Sequence, residues 1–374
     1  MRIERRAFFL GGLSAGALAL SACAKKQTYT VAAASTPTAS TASTAHAHPI
    51  VDVHAHYYPP EWLRLVEREG PSLGVKLGKN DKGWTTVVVG DSTVALSPAH
   101  LDVESRVQKM DGQGVDVQLL SLSLPMVYWA PPPLGLKLAQ AFNDACSAAC
   151  TAHPKRFAGS VMLPMQAPDL ALGELERAAK LPGMRALYVA TNVTGKNLDD
   201  KAFSIIFAKC EELGWPLFLH PVDPVGAERM RSYYLRNLLG NPYDTGIAAA
   251  SLVFGGVMDK YPRLEIVLPH SGGTFPALIG RLDHGVEVRP ELEHMKQPAS
   301  AYLRRFHYDT IAHNPALIMN LVRQVGADRM VLGSDYPFDM GYEKPVDFVE
   351  RLSDVPAADR ELILGKNAAR LLKI

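Results

Sequence analysis

The chain has 374 residues, 47% of them hydrophobic, with 39 Lys and Arg against 38 Asp and Glu. That balance gives no electrostatic reason to expect nucleic acid, and nothing after Cys23 is long and apolar enough to cross a membrane as a helix. Of the four cysteines, Cys146 and Cys150 stack one helical turn apart as core residues do, Cys210 stands elsewhere, and no disulfide framework is spelled out.

The first 49 residues read as a leader rather than as part of a fold. Arg5 and Arg6 are followed by an apolar run from Gly11 to Leu20 and then small residues, the order of an export signal. Leu20-Ser21-Ala22-Cys23 resembles a lipoprotein processing box, so residues 1–23 are expected to be a twin-arginine-like signal peptide with Cys23 as the lipid-bearing residue. Residues 24–49, mostly Ala, Ser and Thr, bury too little apolar surface to offset their ordering entropy and read as a disordered tether. The expected location is the periplasm, with membrane contact only through the N-terminal lipid or signal.

Residues 50–374 read as one (β/α)8 barrel. Ile50, Val51 and Val53 are β-branched and open it as a short buried strand. His54 and His56 end that strand and, being two apart, point the same way. Residues from about 57 to 100 interrupt the barrel. There Trp84 to Val89 and Thr93 to Leu96 predict a hairpin turning at Gly90-Asp91-Ser92, after a polar, flexible stretch from Lys76 to Gly83. An insertion at that point falls on the active-site rim and covers the pocket.

From His100 helices and strands alternate. A helix from Leu101 to Gly112, stopped at Gly114, precedes a strand from Val115 to Pro125. A helix from Gly135 to His153 leads to a strand from Phe157 to Leu163, and Asp169 caps a helix to Leu181. Strands follow at Arg185–Val189 and Leu217–His220, with a helix from Asp200 to Leu213 between them. After a long excursion from Val222 to Thr245 comes a helix to Lys260. Leu264–Leu268, Phe306–Asp309 and Met330–Leu332 complete eight strands, with a helix from Pro315 to Val325 before the last and another from Leu362 to Leu371 at the end. The competing fold, an open doubly wound sheet, would carry a Gly-rich phosphate loop after a strand, and none is present.

Four apolar strands share one feature: they run into His54 and His56, into His220, into Pro269-His270, and into Gly333-Ser334-Asp335. In a barrel the C-terminal ends of all strands meet at one face, so these residues converge. Any one of the histidines alone would read as an ordinary core or surface residue; together they read as a metal site. Three imidazoles and a carboxylate suit Zn²⁺ and also accept Mn²⁺ or another divalent transition metal. Asp335 can bind the ion and accept a proton, and His270, followed by Gly272 and Gly273, has backbone room to act as the acid/base beside it.

These residues resemble the amidohydrolase superfamily, in its branch of metal-dependent, non-oxidative decarboxylases, and most of all the aminocarboxymuconate-semialdehyde decarboxylases. The likeness runs from about Ile50 to the C-terminus through Asp52-Val53-His54-Ala55-His56, Met110 to Val115, Leu163 to Pro168, Leu219-His220-Pro221, His270 to Gly273, Gly280-Arg281 and Gly333 to Phe338. It implies His54, His56, His220 and Asp335 as metal ligands and His270 as the residue that polarises a metal-bound water to protonate the substrate carbon. It also implies that Arg281 reaches into a neighbouring subunit to hold a substrate carboxylate, hence a homodimer. The chain departs from that group in lacking an arginine between Ser92 and Ser97 and in reading His220-Pro221-Val222-Asp223 where Trp-Asp is usual. The expected activity is decarboxylation of an aromatic or unsaturated acid. Hydrolysis of an ester, lactone or amide by the same metal-bound water is the alternative, and a non-catalytic binding lipoprotein is the third reading.

Overall fold

The protein is described by a computed structural model covering residue 46 and residues 48–374. The signal segment, Cys23 and nearly all of the tether lie outside the described residues; of the tether's end, His48 and Pro49 are exposed.

Eight parallel strands form the centre: β1 (Val51–His56), β5 (Val117–Ser121), β6 (Phe157–Val161), β7 (Met184–Ala190), β10 (Leu217–His220), β11 (Ile266–Leu268), β12 (Phe306–Asp309) and β13 (Met330–Val331). Each pairs with the next in chain order. The sheet closes on itself: Val53 N donates to Leu332 O at 2.9 Å, Asp335 N to His54 O at 2.8 Å and His56 N to Tyr336 O at 2.7 Å. The fold is therefore the (β/α)8 barrel. Every residue of β1, β5, β6, β10, β11 and β12 is buried, as strands covered on both faces require.

The outer helices are α1 (Pro60–Glu69), α2 (Val103–Gln113), α3 (Pro132–Ala152), α4 (Pro168–Ala178), α5 (Ser204–Leu213), α6 (Asn241–Phe254), α7 (Val257–Lys260), α8 (Phe275–Val288) and α9 (Pro315–Val325), followed by three shorter C-terminal helices. Their ends follow local chemistry. Asp102 caps α2 through Glu104 N, and Gly114, at φ 71°, ends it. Asn314 caps α9 at two amides, with Pro315 in its first turn.

Three local expectations are corrected. The stretch from Lys76 to Gly83 is not wholly flexible: Val75–Lys79 forms β2, which pairs antiparallel with β3 (Thr85–Val89), itself paired with β4 (Ser92–Leu96). Val75 is buried, and Leu77 packs on the core from the same face, an alternation the intervening lysines hide. Asp169 does not cap α4; Pro168 takes the first helical position, which suits a residue without an N–H, and Asp169 falls in the first turn. Between His270 and Phe306 the sequence reading placed no helix, yet α8 occupies that stretch. A short hairpin, β8 (Asn192–Val193) and β9 (Lys196–Asn197), follows β7.

The C-terminal helices lock the last strand. Buried Asn367 donates to Ala327 O at 2.8 Å and Met330 O at 2.7 Å, on either side of the turn that feeds β13. Replacing it with Ala leaves two buried carbonyls unpaired, at about 1–3 kcal/mol. Urea denaturation of Asn367→Ala should show that loss as a lower midpoint with an unchanged slope; an unchanged midpoint would mean the carbonyls find other donors.

Candidate metal centre

His54 and His56 leave the end of β1, His220 the end of β10, and Asp335 the loop just past β13. All four are buried. One ligand atom from each lies within 4.8 Å of all the others. His56 Nε2 is 3.1 Å and His54 Nε2 3.5 Å from Asp335 Oδ1. The rings of His54, His56 and His220 meet edge-on, with centroids 4.9–5.2 Å apart. His270 joins them, its ring 5.5 Å from His54 and 6.0 Å from His220. Five residues from four separate stretches of the sequence thus come together.

The surroundings decide which nitrogen of each ring faces inward. His54 Nδ1 lies 2.8 Å from Asp309 Oδ2, a carboxylate that can only accept when ionised, so Nδ1 carries the proton. His56 Nδ1 lies 3.1 Å from Ser121 Oγ, whose own hydrogen goes to Ala55 O at 3.0 Å; the hydroxyl must therefore accept from His56. His220 Nδ1 lies 3.0 Å from Pro221 O, again an acceptor only. In all three rings Nε2 is left with a lone pair for the centre. His54 Nε2 is buried with no hydrogen-bond partner. A buried orphan of that kind costs about 1–3 kcal/mol, and a cation among these lone pairs removes the cost. The residues fit a divalent metal.

The electrostatics agree for two of the three rings; His54 is raised despite its burial, by the hydrogen bond of Asp309 and the charges of Asp335 and Asp309. Burial, with the neighbouring histidines, holds His56 and His220 well below the ordinary imidazole value, in the neutral, ligating form. Burial pushes Asp335 up; a cation beside it reverses that preference. Burial also works against ionisation of Asp309, but the hydrogen bond and charge of His54, the charge of His270 and the Ser271 amide outweigh it and hold the carboxyl below its usual value.

His270 sits in an unusual turn. His270, Ser271, Gly272 and Gly273 all have positive φ. Two glycines are needed because a Cβ on Gly273 would meet Pro242 O at 2.0 Å and one on Gly272 the Tyr308 ring at 2.7 Å. Asp309 holds the turn, accepting from Ser271 N at 2.8 Å through the oxygen that His54 does not use. His270 Nδ1 has no partner. The sequence does not single out Asp309, although its strand ends in a carboxylate just as others end in a candidate ligand. Nor does it single out Ser121, or assign a role to Phe338 within its motif. The Phe338 ring lies 5.1 Å from His56 and 4.8 Å from His100, between the centre and the end of the insertion. The insertion's tip reaches the excursion after β10 through an Asp91–Arg231 ion pair of 2.6 Å. Arg281 is placed apart in character: it is exposed on α8 and makes no ion pair among the described residues.

An amidohydrolase family model matches residues 51–374. The chain belongs to the amidohydrolase family. It is 35% identical to 2-amino-3-carboxymuconate-6-semialdehyde decarboxylase of Dictyostelium discoideum over 327 residues, covering 86% of this chain and 91% of that one. The structure of 5-carboxyvanillate decarboxylase from Sphingomonas paucimobilis superposes with a TM-score of 0.75 at 26% identity, covering 88% of this chain and 100% of that one. A dihydroxybenzoic acid decarboxylase from a Polaromonas species, holding manganese and the inhibitor 2-nitroresorcinol, superposes with a TM-score of 0.72 at 25% identity, covering 87% and 97%. Within the amidohydrolase family this chain is a metal-dependent decarboxylase.

Asp309 generates a prediction. Asp309→Asn keeps the shape but removes the charge behind His54, and an outer partner of this type is worth about 10- to 100-fold in metal affinity. Chelator competition should show that weakening with the fold intact; wild-type affinity would mean that Asp309 serves only the His270 turn.

Proposed function

We propose that the protein removes CO₂, without oxidation, from a small acid whose carboxylate hangs on an aromatic ring or a conjugated double bond. The observation that carries this is the set of three inward Nε2 lone pairs and Asp335, with an unpartnered His270 beside them. His54, His56, His220 and Asp335 would hold the ion. Zn²⁺ suits the nitrogen-rich set best, and the manganese of the Polaromonas enzyme makes Mn²⁺ the alternative. Such an ion activates a bound water and polarises a substrate oxygen.

The chain's own residues supply the rest. His270 holds and moves a proton toward the carbon that bears the carboxylate. Once that carbon is protonated, its bond to the carboxylate breaks, CO₂ leaves, and the electron pair restores the double bond. Asp309 and the two glycines aim the His270 ring. Phe338 offers an aromatic face beside His56 for a flat substrate. His270→Ala should retain metal and lose about 10²- to 10⁴-fold in CO₂ release, measured on Zn²⁺- or Mn²⁺-loaded protein against a panel of aromatic and unsaturated acids. Retained activity would remove His270 from the mechanism; acid release from esters or lactones without CO₂ would favour a hydrolase.

Two chains are proposed to work together. Arg281 shares α8 with exposed Leu278 and Val288, and the excursion adds exposed Leu238, Leu239 and Tyr243, apolar side chains that a subunit interface would cover. Across a dimer face Arg281 would hold a substrate carboxylate in the partner's site. Mixing Arg281→Ala with Asp335→Ala should then recover activity in heterodimers, where one site keeps both residues. No recovery in verified heterodimers would confine Arg281 to its own chain.

The leader is proposed to export the folded enzyme and to tether it by a lipid on Cys23. A site drawn from several strands exists only after folding, so loading before export avoids competition from more tightly binding ions. Changing Arg5 and Arg6 to Lys should leave metal-loaded precursor in the cytoplasm; normal export of that variant, read by cell fractionation, would point to a general secretory signal instead.

A further inference from the structure

Arg106 is an arginine in the middle of α2 with its side chain fully buried. A buried guanidinium is costly unless its charge and its donors are met. Among the described residues no carboxylate pairs with it. Nε has no partner, but both terminal nitrogens donate, chiefly to oxygens beside the site. Nη2 donates to the backbone carbonyl of His56 at 2.5 Å and of Ala99 at 3.2 Å, and Nη1 to Gln118 Oε1 at 3.2 Å. The guanidinium also lies over the Tyr336 ring, 4.9 Å from its centroid.

The string continues past Gln118. Its Nε2 donates to Asp52 Oδ2 at 2.9 Å. Asp52 in turn accepts from His54 N at 3.1 Å, from Ser334 N at 3.0 Å and from Ser334 Oγ at 2.5 Å. Arg106 and Asp52 are thus joined across one amide; burial pushes the Asp52 carboxyl up, against the donors from Ser334 and His54. What the string grips is the backbone of ligands or of their neighbours: the His56 carbonyl, the His54 amide, and Ser334 next to Asp335. The seam bonds from Asp335 N to His54 O and from His56 N to Tyr336 O complete the frame. Burial lowers the guanidinium only to about 10, so it stays charged at neutral pH.

We propose that Arg106, acting through Gln118 and Asp52, is a positioning residue that fixes the backbone of His54, His56 and Asp335 in the geometry that binds the metal. This rests on the metal-centre reading of the site. A side chain that merely anchored α2 to the barrel would need the Ala99 carbonyl and the Tyr336 ring; it would not need bonds to a candidate ligand's own carbonyl and, through one amide, to the carboxylate that accepts from His54 N and from Ser334.

The test uses Co²⁺ as the probe, because its visible absorption reports coordination geometry. Arg106→Lys keeps the charge and loses the fork; Gln118→Met keeps Arg106 and cuts the string. Asn143→Ala, which removes a buried hydrogen-bonding side chain between α3 and β6, is the control for general loosening. Each is first checked for an intact fold by near-ultraviolet circular dichroism. Arg106→Lys and Gln118→Met should each weaken Co²⁺ binding about 10- to 100-fold and change the intensity of the visible bands, while Asn143→Ala lowers thermal stability and leaves affinity and spectrum at wild type. If Arg106→Lys does not fold, Gln118→Met carries the test alone. Wild-type affinity and spectrum in the folded variants, or an equal change in Asn143→Ala, overturns the proposal. A wild-type protein that binds no Co²⁺ overturns the metal centre itself.

Discussion

The site depends on how the barrel closes. β13 is two residues long, and the chain beyond it does not continue as a regular strand. It is instead laid along β1 by three backbone hydrogen bonds, from Val53, Asp335 and His56. That seam puts Asp335 opposite His54 and His56, so three of the four candidate ligands lie on one line of backbone contact. The approach is close: a Cβ on Gly333 would stand 3.0 Å from that of Asp309 and 3.1 Å from that of His54. Asp335 itself takes φ 59°, a conformation that a side chain rarely adopts without support from its surroundings. The fourth candidate ligand, His220, comes from the other side of the barrel.

Charge accounts for what surrounds the ligands. Three imidazoles brought together without counter-charge would repel protons and one another. Two buried carboxylates answer that, Asp335 within the cluster and Asp309 behind His54. Together they match the two charges of a divalent ion, leaving a near-neutral, well-covered centre in which field effects are not diluted by water. The same Asp309 also fixes the turn that carries His270. The proposed ligation and proton transfer would therefore share one support, because Asp309 bonds both to His54 and to the turn of His270.

Much of this was legible in the sequence because strands in a barrel obey a simple rule. An apolar run that ends in His or Asp delivers that residue to one face, and the runs ending at His56, His220, His270 and Asp335 did so without error in the eight-strand order. What was hidden lay where side-chain contacts, rather than periodicity, decide the outcome. Asp309 and Ser121 act by touching a histidine ring from strands whose pattern only says buried. Arg106 reads as one more charge in a helix, and only packing shows that it is covered completely. Lysines mask the alternation of β2, and the glycine-rich turn at Gly272 and Gly273 hides the start of α8. Phe338 sat inside a recognised motif, but its place between His56 and His100 depends on how the insertion folds back.

X-ray absorption at the K-edge of the ion in purified, metal-loaded protein tests the central claim most directly. The account predicts one ion per chain, bound by nitrogen and oxygen at about 2.0–2.2 Å, with the outer scattering of three imidazole rings. An ion with fewer than three imidazoles, a sulfur ligand, or no bound ion at all would contradict it.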